Sequence, residues 1–223
     1  MGKACFGKSV TRTPGEPSKS TGAPPGPDRM AAMAYLFYKA RIVLQPPGPE
    51  LRGDLRLETW RPTLGRPVRR DLPVVPFAVW SLYHFLGVFA TRDYFLLLIR
   101  HRGRVVHRSC VLPAHYRFPF MAPRDLQAAG LWTAPDWRGR GLGLAALGEV
   151  FRRDECQGRT LWYMVREDNA ASIRLAEKAG LLRWGRGGRG AWILDPLGRY
   201  RVAERLHCPP GPGRECWSAD PVA

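Results

Sequence analysis

Residues 128–181 alternate between strand-like and helix-like patterns, and this order restricts the fold more than any other feature of the chain. Small and apolar residues at 128–133 stop before a proline and predict the end of a buried strand. After a turn, apolar residues recur at helical spacing over 144–151. A second strand is predicted at 160–166 and a second helix at 169–180. The alternation indicates an α/β layer with a mixed sheet.

The turn between the first strand and the first helix is rich in glycine and arginine. It reads RGRGLG over residues 138–143. Glycines at the start of a helix leave the first backbone N–H groups bare, and these groups and the helix dipole favour an anion such as a pyrophosphate. A Cβ at Gly141 or Gly143 would block the close approach of that anion. Because the pattern is short and loose, its position between a strand and a helix carries most of the weight.

The glycine turn and the second helix together resemble the GNAT acyltransferase superfamily. RGRGLG is similar to the loop that binds the pyrophosphate of acetyl-CoA, and NxxSIxxxEKxGL at 169–181 is similar to the family's next strand–helix unit. The second motif is closest to the ribosomal-protein-alanine acetyltransferase-like branch. The resemblance covers residues 127–185. It implies an α/β fold with a mixed, largely antiparallel sheet, flanking helices and a site for acyl-CoA.

The resemblance also implies which residues bind acetyl-CoA. In GNAT folds the strand before the glycine loop splays from the next strand, and the pantetheine arm enters the gap. Asn169 could hold a water or a carbonyl there, or could only cap its helix. The cofactor-binding residues implied in this way are Leu131, Trp132, Thr133, Arg138, Gly139, Arg140, Gly141, Leu142, Gly143, Leu144 and Asn169.

The reaction implied is direct attack of a primary amine on the thioester carbonyl, which needs a proton acceptor and stabilisation of the oxyanion. Many family members protonate the leaving thiolate with a tyrosine of the second helix, but this chain has Ala176 there. Residues 125–130 offer no glutamate as a base, and Asp125 lies near the preceding loop. The acid, the base and the acceptor therefore stay unassigned. The polar candidates for facing the pocket are His107, Ser109, His115 and Tyr116.

Two other functions remain open. GLGLAA at 141–146 fits a dinucleotide-binding loop, although residues 135–138 separate it from the strand and no second βαβ half follows. The second is a non-catalytic module that binds CoA or a polyanion, which would explain why no acid or base is assigned. The excess of positive charge, with 35 Lys and Arg against 19 Asp and Glu, is consistent with such a module. The arginines are scattered and no nucleic-acid motif is present, so nucleic acid is not the expected partner.

The two ends of the chain differ in composition from its middle. Residues 1–29 and 207–223 are rich in proline and glycine, and we expect a disordered leader and a loose tail around a single domain at 30–206. Five widely spaced cysteines without a C-x-x-C pair or a secretory segment indicate a reducing, cytoplasmic environment. No metal is expected, because the histidine and cysteines at 207–216 lack a fourth ligand.

The remaining elements are predicted from periodicity. Residues 77–90 are apolar on nearly every face and predict a buried helix, too short and too interrupted to span a membrane. An aromatic loop at 113–123 could shape a substrate pocket or only cover the core. Alternation in the strand at 104–112 places Val105 and His107 on one face. Strands are predicted at 35–44, 54–60, 94–100, 104–112, 181–184, 191–194 and 200–202, with a turn at 185–190.

Overall fold

One sheet of eight strands organises the part of the chain that the computed structural model describes, which is residues 34–44, 51, 53–189 and 198–206. The strands are β1 (Tyr35–Arg41), β2 (Leu55–Trp60), β3 (Phe95–His101), β4 (Arg104–Pro113), β5 (Leu126–Thr133), β6 (Thr160–Arg166), β7 (Leu182–Arg189) and β8 (Tyr200–Arg205). The helices of these segments are α1 (Val74–Phe85), α2 (Leu142–Arg152) and α3 (Ala170–Lys178), besides short 3₁₀ turns. The predicted leader, the tail, the strand at 191–194 and the candidate metal ligands at 207–216 lie outside the described residues.

The strands are ordered β2-β3-β4-β5-β6-β1-β7-β8 across the sheet. Every described pair is antiparallel except β5 and β6, which are parallel. A parallel pair needs a crossover, and α2 supplies it. The predicted mixed, largely antiparallel sheet with flanking helices is therefore confirmed. No helix within the described ranges is long and apolar enough to cross a membrane.

Helices cover both faces of the sheet. On one face, Leu147 and Phe151 of α2 and Ala176 of α3 are buried in the main apolar cluster with side chains from the strands. On the other face, Phe77 of α1 packs against a second cluster that includes Tyr94. Full burial of such a leucine or phenylalanine contributes about 1.5–3 kcal/mol, so the two clusters hold the layers together.

Helix α1 differs from the prediction of a fully buried helix at 77–90. It begins at Val74 and ends at Phe85, and only Phe77 and Ser81 are buried. Val75 is 76% exposed and Leu82 is 51% exposed. The prediction failed because apolar composition does not say how many neighbours a helix has: α1 contacts the sheet along one stripe, and its opposite stripe faces outward.

Two strands depart from the predicted pattern because of their neighbours. Ile99 pairs with His107 and Arg100 with Val105, so β4 has one extra residue between them and His107 does not follow the alternation from Val105.

The turn predicted at 185–190 falls mainly within strand β7. A Cβ added at Gly185 would lie 2.8 Å from the Glu204 backbone oxygen of β8. This glycine therefore permits close approach of a strand rather than a turn.

Candidate functional site

Strands β5 and β6 run side by side only near their first residues. Their parallel pairing ends at Ala128 and Tyr163. Just beyond this point β5 has one more residue than the facing part of β4, and Gly130 within the bulge has a φ of 60°. A bulge bends its strand, and here β5 stays paired with β4 and loses its pairing with β6. A gap between the two strands follows, with the backbone of β5 on one side.

A cavity of about 550 Å³ occupies this gap. It lies among the end of β5, the start of α2 and one face of α3. Its lining residues are His107, Leu131, Trp132, Thr133, Trp137, Arg138, Gly139, Gly141, Leu142, Gly143, Leu144, Tyr163, Ala171, Ser172, Arg174, Leu175 and Lys178. The predicted cofactor set thus lines one cavity, apart from Arg140 and Asn169.

The glycine turn forms the start of α2 at this cavity. Gly139 and Gly141 have φ values of 73° and 75°, in the left-handed region that favours glycine. Gly141 is the N-cap residue and no side chain caps the helix. A Cβ built on Gly141 would meet nothing within 4 Å, so the space above the turn is open to a ligand. The first N–H groups and the positive end of the helix dipole favour an anion in that space.

Three cationic side chains line the same cavity. Arg138 comes from the glycine turn, whereas Arg174 and Lys178 come from α3. The Arg138 Nε donates to the Thr133 backbone oxygen at 3.3 Å, which places the turn against the end of β5. The two cations of α3 were not among the binding residues predicted from the sequence. Their spacing of four residues, which places both on one face of a helix, is the signal that could have found them.

His107 lies at the cavity wall beneath the start of α2. Its Nδ1 is 2.8 Å from the Thr133 hydroxyl, and its Nε2 is 2.8 Å from the Ser109 hydroxyl. Burial, with a smaller contribution from the Arg108 charge, lowers the pKa of His107 from 6.5 to about 4. The imidazole is therefore neutral near pH 7. With both nitrogens held, it fixes the orientation of Thr133.

This lowered pKa gives a test of burial at the site. Between pH 6.5 and about 4 the unfolded chain binds a proton at His107 that the folded chain does not, so stability falls as the pH is lowered through this window. We expect His107→Gln to reduce that slope by up to about 1.4 kcal/mol per pH unit. Urea unfolding from pH 4 to 7 measures it. An unchanged slope in His107→Gln would show that His107 titrates normally.

The other candidate residues have structural partners. Asn169 accepts a hydrogen bond from the Ser172 N–H at 3.1 Å and caps α3. The Arg140 guanidinium lies 4.7 Å from the centre of the Trp137 ring. The Asp125 carboxylate accepts from the Trp162 Nε1 at 2.8 Å, and Asp125 does not line the cavity. Ala176, in the position of the family's tyrosine, is fully buried in the core.

His115 and Tyr116 do not line this cavity. They belong to the aromatic loop, and the His115 ring packs against Trp80 and Tyr83 of α1 on the opposite face of the sheet. Of the four polar candidates, only His107 lines the cavity directly, and Ser109 reaches it through His107. Sequence periodicity could not separate the two groups, because the separation depends on which face each loop covers.

Tyr163 is a further polar side chain of the cavity that the sequence analysis did not single out. It stands where the β5–β6 pairing ends and lines the cavity from β6. Burial raises the pKa of the Tyr163 phenol, and a hydrogen bond with Ser172 partly offsets the rise. The phenol is therefore protonated near pH 7.

Comparison with known proteins gives a family match. A model described as the acetyltransferase (GNAT) family matches residues 59–181, more than half of the 223 residues. No curated protein matches the chain.

Solved structures give more distant likenesses. A GCN5-related N-acetyltransferase from Sphaerobacter thermophilus is 20% identical with a TM-score of 0.47, over 70% of this chain and 50% of that chain. A GCN5-related N-acetyltransferase-like protein from Streptococcus suis is 16% identical with a TM-score of 0.45, over 71% and 62%. A GCN5-related N-acetyltransferase from Kribbella flavida is 15% identical with a TM-score of 0.42, over 73% of this chain and 60% of that chain. The match therefore spans less than two thirds of each of these solved chains.

Proposed function

Because this chain belongs to the acetyltransferase (GNAT) family, we propose that it transfers an acetyl group from acetyl-CoA to a primary amine. The observation that carries the proposal is the cavity between the splayed strands, with an uncapped, glycine-lined helix start and three cations around it. Membership of the ribosomal-protein-alanine acetyltransferase-like branch remains a prediction from the motif at 169–181.

The start of α2 fits the pyrophosphate of acetyl-CoA. Gly139 and Gly141 leave open the space that a Cβ would enter, and the amides from Gly139 to Leu144 would hold the phosphate oxygens. Arg138, Arg174 and Lys178 would offset the negative charge of the phosphates. These groups suit a ligand that is polyanionic at one end.

The free edge of β5 suits the pantetheine arm. From 129 onward β5 has no pairing with β6, so the backbone groups of Leu131 and the N–H of Thr133 would be available to the amides of an extended ligand. The Thr133 backbone oxygen already accepts from Arg138. Leu131, Leu175 and Ala171 supply apolar contacts around it. A thin ligand with two amides, charged only at its far end, matches this arrangement.

Acetyl-CoA would supply an activated acyl thioester, and the chain's residues would orient it and exclude water. The described cavity-lining residues include no carboxylate, so we assign no side chain as the base that takes the proton of the amine. His107 has a pKa too low for efficient proton abstraction at neutral pH. A water at the gap would carry this proton to solvent.

The missing carboxylate also favours a second candidate, a non-catalytic module that binds CoA or another polyanion. The buried Ala176 gives the same indication, because it cannot supply the phenol that many relatives use. Release of free thiol from acetyl-CoA in the presence of amines separates the two functions. A dinucleotide-binding domain is not supported, because only β5 and β6 pair in parallel among the described strands.

Ligand-induced stabilisation tests the proposed cofactor. Acetyl-CoA at about 100 times its dissociation constant is expected to stabilise the fold by about 2.7 kcal/mol. NAD at the same concentration is expected to stabilise it much less, because the cavity joins a phosphate cradle to a narrow gap rather than to two nucleoside pockets. A thermal-shift titration measures both. A larger shift with NAD than with acetyl-CoA would contradict the assignment.

A further inference from the structure

Among the residues that the structure describes, buried and half-buried arginines pair with carboxylates, with two exceptions. Seven arginines of the described segments are at least partly buried. Five of them form ion pairs with Asp or Glu: Arg69, Arg100, Arg152, Arg153 and Arg159. Arg108 and Arg117 form no ion pair with any carboxylate in the same segments. The Nε of each is buried without a hydrogen-bond partner there.

Arg108 lies on β4 and is next to the end of β5, the strand that borders the gap. It pairs across the strands with Trp132, and its guanidinium lies 4.6 Å from the centre of the Trp132 ring and 5.6 Å from that of Phe77 in α1. Trp132 itself lines the cavity. Burial lowers the pKa of Arg108, which reflects the cost of a charge held away from water without a counter-charge.

Arg117 lies on the same face of the sheet. It is in the aromatic loop, next to Tyr116, whose hydroxyl is 2.9 Å from the Tyr83 hydroxyl of α1. His107, the neighbour of Arg108, lines the cavity on the opposite side, beneath α2. Within the described segments, the face bearing α1 therefore carries two half-buried guanidinium groups without a carboxylate partner, whereas the face bearing α2 carries the proposed phosphate cradle.

We propose that the amine acceptor carries a carboxylate, which Arg108 binds on the α1 face of the sheet beside the end of β5. This inference rests on the proposed function. A guanidinium held against an indole ring, as Arg108 is against Trp132, presents its planar set of N–H groups to a ligand, which matches the two oxygens of a carboxylate. In the reaction the amine nitrogen bonds to the acyl carbon and the C–S bond breaks. Sulfur keeps the electron pair and gains a proton, and the nitrogen loses one.

Matched amines test the inference. The probes are β-alanine with β-alaninamide, glycine with glycinamide, and aminoethyl phosphate with ethanolamine. We expect the carboxylate member of each of the first two pairs to have a kcat/KM at least tenfold higher, measured by thiol release from acetyl-CoA. Equal rates within both pairs would overturn the inference. A preference for the phosphate alone would assign the guanidinium to phosphate instead.

Variants assign the preference to Arg108. Arg108→Met is expected to abolish it while acetyl-CoA binding and the rate with β-alaninamide stay within twofold, and Arg108→Lys should keep part of it. Arg104→Met, which removes an exposed charge from the same strand, is the matched control and should keep the full preference. If Arg108→Met retains the preference, the inference is wrong.

A binding measurement separates this inference from the proposed function. The same amines are added to the protein saturated with CoA, and the thermal shift is recorded without any need for turnover. If no amine is acetylated but carboxylates still stabilise wild type and not Arg108→Met, the acceptor site stands and the proposed transfer fails. Equal thermal shifts with carboxylates and amides would contradict the proposed carboxylate site at Arg108. If CoA does not bind, the proposed function fails, and the shifts are compared on the protein alone.

Discussion

Gly141→Val is expected to weaken acetyl-CoA binding by roughly two to four powers of ten, because about two charge-assisted hydrogen bonds of about 1.5–3 kcal/mol each would be lost. Gly141 has a φ of 75°, which a β-branched residue adopts only with strain. Relief of that strain would move the amides at the start of α2. If the turn did not move, the new side chain would fill the open space above it. Isothermal titration calorimetry measures the affinity.

A second glycine of α2 provides the control for Gly141. Gly148 lies within the helix without a positive φ, and a Cβ added there would be 3.6 Å from the flexible end of Arg152. Gly148→Val should therefore keep the affinity within about threefold, since it disturbs neither the turn nor the cavity. Circular dichroism shows whether each variant is folded. A folded Gly141→Val that binds acetyl-CoA normally would contradict the cradle.

Replacement of Arg174 and Lys178 by alanine is expected to lower acetyl-CoA affinity by about one to two powers of ten. Both side chains line the cavity, and each is exposed, so that salt screens its contribution. At low salt the loss should be largest, and the dependence of affinity on salt should become weaker in the double variant. Titrations at several salt concentrations measure both effects.

An equal loss of charge elsewhere is the control for the α3 cations. Arg183 and Arg186 are exposed on β7 and do not line the cavity. Their double replacement by alanine removes the same net charge and should change the affinity by less than about threefold, because screening weakens charges at a distance. Equal losses in the two double variants would mean that net charge, rather than the cavity, attracts the ligand.

The site was predictable where its residues are close in sequence. The end of β5, the glycine turn and the start of α2 lie within 131–144, and residues spaced at 3.6 or 2 positions reveal such elements directly. Asn169 was predicted as a possible cap and has that contact. The role of these residues in binding acetyl-CoA remains a prediction from the resemblance, supported by the cavity that most of them line.

Other parts of the site depend on residues distant in sequence. Arg174 and Lys178 reach the cavity because α3 packs beside α2, and His107 reaches it because a bulge in β4 shifts the alternation of side chains. The exposed stripe of α1 also depends on packing with distant residues. The composition of α1 resembles that of a buried helix, so the sequence alone does not reveal the exposed stripe. Such outcomes follow from packing between elements, which local periodicity does not encode.

The amino-acid sequence by itself determined the order of strands and helices through 126–178 and the glycine-rich start of α2, because backbone freedom at glycine and apolar spacing act within a few residues. Only the tertiary structure decided where β5 separates from β6 and which cations surround that gap. It alone showed that Arg108 lies against Trp132 at the end of β5 without a carboxylate partner in the described segments. The physical reason is that pairing, burial and charge compensation depend on neighbours that folding brings together from distant parts of the chain.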